Sequence, residues 1–141
     1  MRRSIAAVAF AFLLAGCATP PPPKPVAQCP LPGEEPYAIA QLFFGRAIPG
    51  RAPLTDAEWA DFAAHAITPQ FPDGFTVLDG TGQWYDQGSG RMIHEQSKIL
   101  LVAADPDSDL KTRIGSVIAA YRAQFHQSSV GLVTSLACGS F

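Results

Sequence analysis

FTVLDGTGQWYDQGSGRMIHEQSKILLVA, Phe75 to Ala103, holds two extended runs around one turn. Phe75 to Trp84 reads as a strand in which Gly80 and Gly82 mark a bulge. Asp86 to Gly90, DQGSG, has turn composition. Met92 to Ala103 is a second strand. Its first half is polar on both faces and its second half, ILLVA, is apolar on both, as in the middle of a sheet.

Upstream of this hairpin, Thr55-Asp56-Ala57-Glu58 is a capping box, with Thr55 as N-cap and Glu58 at the third helical position. Leu54 and Trp59 take the places of a hydrophobic staple. Trp59, Phe62, Ala63, Ala66 and Ile67 recur at helical spacing, and Pro69 and Pro72 end the helix. Before it, Tyr37 to Arg46 reads as a strand and Gly45 to Pro53 as a loop. Downstream, Asp105 to Ser108 opens a second helix with an apolar stripe of Leu110, Ile114, Val117, Ile118, Tyr121 and Phe125. Ser129 to Cys138 alternates as a last strand. The order β-α-β-β-α-β predicts an α+β, ferredoxin-like sandwich: one antiparallel sheet in the order 4-1-3-2, with two helices on one face.

The N-terminus reads as a targeting segment. Arg2 and Arg3 precede a short apolar run, Ile5 to Leu14, and then Leu14-Ala15-Gly16-Cys17. That run is too short for a comfortable bilayer span, and the whole matches a secretory signal. LAGC resembles the bacterial lipobox, which predicts cleavage before Cys17 and acylation of its thiol and amino group. Several acyl chains anchor stably where one is marginal. Ala18 in place of Asp points to the outer membrane, with the domain facing the periplasm. Four prolines, Pro20 to Pro23, with Pro25 close behind, favour polyproline II and form a semi-rigid spacer of roughly 30 Å. The expected organisation is a signal over 1–16, a lipidated Cys and linker over 17–36, and a single α+β domain over 37–141.

The chain carries ten basic and twelve acidic side chains. Loss of Arg2 and Arg3 leaves eight against twelve, about −4, with no basic patch for nucleic acid. Once Cys17 is assigned to lipid, Cys29 and Cys138 form an even pair in an oxidising compartment. They are read as a disulfide, the other reading being two free buried thiols. The fold places them together: the last strand runs antiparallel beside the first, so Cys138 ends near Cys29.

The same topology gathers the polar residues at the other end of the sheet. The end of strand one (Arg46), the end of strand two (Gln83, Trp84) and the start of strand three (Glu95, Ser97, Lys98) share one edge. Glu95 is expected to partner Arg46, either as a clamp for a polar ligand or as a cross-strand ion pair. Ser97 and Lys98 are adjacent and so face opposite ways, which removes a Ser–Lys nucleophile pair. Trp84 and Tyr85 either line a pocket or, the preferred reading, pack against the core. His65, His94 and His126 lack metal-ligand spacing, and no phosphate loop or cofactor motif is present. No metal and no cofactor are expected.

LFFGRAIPG, TDAEWADF, TPQFPDGFTVLDGTGQW, HEQSKILLV and ACGSF resemble the family called domain of unknown function 3574, small secreted or lipid-anchored bacterial proteins. The resemblance runs from about Ala38 to Phe141. It implies one α+β domain and no assigned activity. Tyr85 stands where members of the family often carry a basic residue. The resulting expectation is a non-catalytic envelope lipoprotein that binds a protein or a small polar ligand. The alternative is a small ferredoxin-like enzyme with its site at Arg46, Trp84 and Glu95. The exposed face of the sheet is the candidate surface for a homodimer.

Overall fold

The computed structural model describes residues 29–106 and 109–141. Cys17, the expected signal and the proline run lie outside the described residues. Four strands form one antiparallel sheet: β1 (Glu35–Gly45), β2 (Thr76–Asp86), β3 (Arg91–Ala104) and β4 (Gly131–Gly139), in the order β2-β3-β1-β4. Two helical segments connect them, α1 (Asp56–Phe62), which continues as a π-helical turn over Ala63–Ile67, and α2 (Leu110–Phe125). This is the expected ferredoxin-like α+β order.

Strand alternation divides the sheet into a covered and an open face. Ala40, Leu42 and Phe44 of β1 and Leu100 and Val102 of β3 are buried, in one core with Trp59 and Phe62 of α1 and Val117, Tyr121 and Phe125 of α2. Aromatic rings concentrate there. Tyr121 meets Phe44 with centroids 4.7 Å apart and Phe62 at 5.1 Å, both edge to face. Such pairs contribute roughly 0.5–1.5 kcal/mol each beyond their buried area. On the other face Phe43, Leu78, Trp84 and Val133 remain exposed.

The capping box is formed as the sequence requires. The Glu58 N–H donates to Thr55 Oγ1 at 3.2 Å, and the Thr55 N–H donates to Glu58 Oε2 at 2.8 Å. The staple residues Leu54 and Trp59 are both buried. The helix does not reach Pro69 in α geometry. Its last turn widens, and the Thr68 N–H donates to the Ala63 carbonyl five residues back, at 2.9 Å. The Thr68 hydroxyl donates to the same carbonyl at 3.1 Å.

Three local expectations are corrected. Gly80 and Gly82 mark no bulge, because β2 and β3 pair without interruption from Thr76↔Leu101 to Asp86↔Arg91. Gly80 serves a close approach instead: a Cβ there would stand 2.9 Å from Ile99 Cδ1 and 3.0 Å from Ser97 Oγ. The second helix begins at Leu110 with Asp109 as N-cap, later than Asp105 to Ser108 suggested. Trp84 is 52% exposed and is not core. Trp59 fills that role, since α1 lies over the sheet whereas the hairpin end projects past it.

Cys29 and Cys138 form a disulfide with Cα atoms 5.5 Å apart, closing a sequence separation of 109 residues. Antiparallel pairing of β1 with β4, which sets Pro36 opposite Cys138, brings the two thiols together.

Candidate functional site

The register of β1 against β3 decides what the polar edge can do. Gly45 stands opposite Ser97, and the Arg46 N–H donates to the Gln96 carbonyl at 2.9 Å. Arg46 therefore shares the helix-covered side with Gln96 and Lys98, while Glu95 and Ser97 share the open side with Gly45. The expected Arg46–Glu95 pair does not form, because it would need both residues on one face. Glu95 instead lies over Gly45, where a Cβ would displace its carboxylate, and accepts from the Ala47 N–H at 3.3 Å.

Arg46 is a loop clamp. Its Nε and Nη2 donate to the Leu54 carbonyl at 2.8 and 2.5 Å, and the Leu54 N–H donates back to the Arg46 carbonyl at 2.8 Å. These bonds close the loop GRAIPGRA and deliver Thr55 to the start of α1. Arg46 Nη1 also lies 3.3 Å from Asp56 Oδ1.

Lys98 is the buried charged residue among those described, at 6% exposure. Its Nζ reaches Asp56 at 2.8 Å and Asp79 at 2.5 Å. Asp79 is its direct cross-strand partner in β2, and Asp56 comes from the first turn of α1. The stem is packed while the head meets two carboxylates that remain mostly in water, the ordinary behaviour of a long cationic side chain. Hydrogen bonding to Asp56, then to Asp79, raises the Lys98 pKa above its ordinary 10.5 despite burial. The Lys98 hydrogen bond, with the Lys98 and Arg46 charges, holds Asp56 below its ordinary 3.8.

Beside this network lies a small recess of about 200 Å³ lined by Arg46, Asp79, Gly80, Thr81, Gln96 and Ser97. Its one cation, Arg46, already holds the Leu54 carbonyl and the Asp56 carboxylate. Ser97 lies toward the open face beside Gly80 and Lys98 toward α1, so the two do not meet as nucleophile and base. Among the described residues no group of three or more His, Cys, Asp or Glu is arranged to hold a metal.

Gln83 and Trp84 belong to a different place, the far part of the β2–β3 hairpin. Gln83 pairs with His94 and Trp84 with Ile93. Trp84, Tyr85 and Met92 are 52%, 59% and 51% exposed. Tyr85 and Met92 are direct cross-strand partners on one face, and Trp84 lies on the other. The turn behind them is held rigidly by Asp86. Its carboxylate accepts from the Gly88 and Ser89 N–H groups at 3.1 and 3.2 Å and from the Ser89 hydroxyl, and its carbonyl accepts from the Gly90 N–H. The Ser89 hydroxyl bond, followed by the Gly88 N–H, keeps the Asp86 pKa below its ordinary 3.8.

Sequence reasoning missed Asp56 and Asp79 as partners of Lys98. Asp79 was findable: once Asp86 and Arg91 close the hairpin, counting back seven residues on each side sets Asp79 against Lys98. Asp56 carried no such signal, since only the packing of α1 on the sheet brings it there.

Residues 39–141 match the profile of the family described as Protein of unknown function (DUF3574), and the chain belongs to that family. A search of curated proteins by sequence finds no match. Two solved structures share the fold. One is a phage SAM lyase in complex with S-methyl-5'-thioadenosine, with TM-score 0.56 and 16% identity over 74% of this chain and 90% of that one. The other is a phage SAM lyase in the apo state, with TM-score 0.54 and 14% identity over 82% and 97%. At that identity the likeness concerns the fold alone.

Proposed function

We propose that this member of the DUF3574 family is a non-catalytic binding module of the bacterial envelope, contacting a protein partner through the tip of its β2–β3 hairpin. In this reading Cys17 carries the lipid anchor, the proline run spaces the domain from the outer membrane, and the domain faces the periplasm. The supporting observation is a contrast between two ends of the hairpin. The charges of the polar edge (Arg46, Asp56, Asp79, Lys98) are engaged with one another or with backbone. The large side chains at the tip (Trp84, Tyr85, Met92) are half exposed or more. Single exposed apolar residues are ordinary, but one rigid tip that carries Tyr85 and Met92 on one face and Trp84 on the other presents Trp- and Tyr-type interface anchors to a partner that closes around the tip. The Asp86 turn presents them already ordered, which lowers the entropic cost of contact. An enzyme at Arg46, Trp84 and Glu95 would need all three around one cavity, and strand alternation puts Arg46 on the opposite face from the other two.

The test is site-specific photocrosslinking in cells of the native host from position 85 of the full chain. A discrete protein adduct that disappears in Trp84→Ala, with unchanged thermal stability, supports the reading. Crosslinking that is absent or indifferent to Trp84 refutes it. Calorimetry with S-methyl-5'-thioadenosine, the ligand of the phage enzyme, addresses the enzymatic alternative: specific binding would overturn the non-catalytic assignment. Conversion of Cys17 to Ser should move the protein from the membrane to the soluble fraction, and retention on the membrane would remove the lipid anchor from the proposal.

A further inference from the structure

We infer that the fork between β2 and β3, at the end of the sheet away from the hairpin tip, is a docking groove for an extended peptide bearing apolar residues flanked by lysine or arginine. β3 runs to Ala104 and stays paired with β1 throughout, from Gly45↔Ser97 to Ala38↔Ala104. Its pairing with β2 stops earlier, at Thr76↔Leu101. The last residues of β3 thus have a strand on one side only.

Backbone alternation identifies which groups are left. The bond from the Arg46 N–H to the Gln96 carbonyl makes the even-numbered residues of β3 the ones that bond toward β1. The odd-numbered residues bond toward β2. Leu101 is the last of these with a β2 partner, and the N–H and C=O of Ala103 point where β2 is no longer present. By register Gly74 would stand opposite Ala103. Instead Gly74 adopts φ 130°, and its N–H turns back to the Phe71 carbonyl at 3.2 Å, so the chain bends away from β3.

The space opened by that bend is a groove of about 680 Å³. This lies within the range of small-molecule and cofactor pockets, about 300–1,000 Å³. One wall is Phe71, with the Arg113 guanidinium 5.6 Å from its ring centre. Another is Tyr37 against Phe141, edge to face at 5.2 Å. Asp73 and Asp105, both exposed, also line the groove. Aromatic walls take apolar side chains, the two carboxylates outnumber the Arg113 guanidinium in the lining and so favour a cationic neighbour, and a half-open strand edge takes main chain. A peptide strand supplies all three, and the exposed edge explains the preference for peptide over a simple apolar ligand.

The test is titration of the full chain with acetyl-Lys-Val-Phe-Val-Lys-amide, beside the same peptide N-methylated at its three central residues. Saturable binding of the first, with the second weaker by about tenfold or more, is expected for loss of main-chain bonds. Ala103→Pro should weaken the unmodified peptide to a similar degree. It deletes the donor facing the fork and leaves the bonds to β1, since Ala103 does not bond to that side. If that variant fails to fold, the methylated peptide makes the same test on unaltered protein. Asp73→Asn with Asp105→Asn should weaken binding at low salt and reduce its salt dependence. Trp84→Ala should leave the affinity unchanged, which separates this groove from the hairpin tip. No saturable binding, equal affinity for the methylated peptide, or loss of binding in Trp84→Ala would each overturn the proposal.

Discussion

The hydroxyl of Tyr121, near the end of α2, donates to the carbonyl of Gly45, the last residue of β1, at 2.8 Å. The bond joins elements 76 residues apart and locks the second helix to the end of the strand that leads into the Arg46 clamp. Tyr121→Phe keeps the ring contacts and removes only this bond. It should lower unfolding free energy by about 1–2 kcal/mol, as a part-buried carbonyl loses its donor. Urea denaturation with an unchanged m-value would check it. The Tyr121 pKa is pushed up to about 12, first by burial and then by the Glu95 charge. A phenol whose folded value lies above its ordinary 10.0 contributes stability that is full below pH 10 and lost as pH rises toward 12. Spectrophotometric titration should therefore show one tyrosine ionising late in the native protein and absent in the variant.

The Cys29–Cys138 bridge closes nearly the whole described chain. Its removal by a double Cys→Ser replacement should cost on the order of 2–5 kcal/mol, chiefly by enlarging the unfolded ensemble. Thermal melts with and without reductant measure it: the parent should lose stability on reduction and the variant should not respond.

The Lys98 network predicts pH behaviour at both extremes. Asp56 has a depressed pKa, so its contribution is present above the ordinary value of 3.8 and is lost as pH falls through the lower folded value. Lys98 has a raised pKa, so its contribution is present below 10.5 and is lost as pH rises through the higher folded value. Lys98→Met retains the packed stem and removes the charge. Its stability should fall less steeply than the parent's between pH 5 and pH 3 and again above pH 10, in urea titrations across that range. The Asp56→Asn, Asp79→Asn double variant should be less stable at neutral pH than Lys98→Met, because it leaves the ammonium at the end of a packed stem without its carboxylates.

His126 caps α2 in the left-handed region, at φ 53°, the one non-glycine among the described residues with positive φ. A side chain there is strained by about 1 kcal/mol relative to glycine. His126→Gly should raise stability by roughly 0.5–1 kcal/mol, read as a small increase in melting temperature. A decrease would mean that the imidazole makes a compensating contact.

Much of the fold could be read from local chemistry. The capping box at Thr55 and Glu58 is a contact between residues three apart, and so are its consequences. The stripe from Leu110 to Phe125 is set by helical period, and its members Leu110, Ile114, Val117, Tyr121 and Phe125 are buried. The pairing of Cys29 with Cys138 followed from strand order once the element order was known. The site was less legible. Strand order carried Arg46 and Glu95 to the same end of the sheet, but Trp84 lies further out along the hairpin, opposite Ile93. Which of them could touch depended on parity between strands, and a shift of one residue changes the face of every side chain.

Sequence alone therefore determined the element order, the start of α1 and the cysteine pair, because each is written in short-range pattern or in composition, and its motifs carried the family resemblance. Tertiary structure decided that Arg46 clamps a loop, that Asp56 reaches Lys98 from α1, that Trp84 stands in solvent and that β3 outruns β2 to leave a fork. Those outcomes depend on inter-strand register and on how far each helix extends over the sheet. Both are set by the packing of residues distant in sequence, which periodicity does not encode.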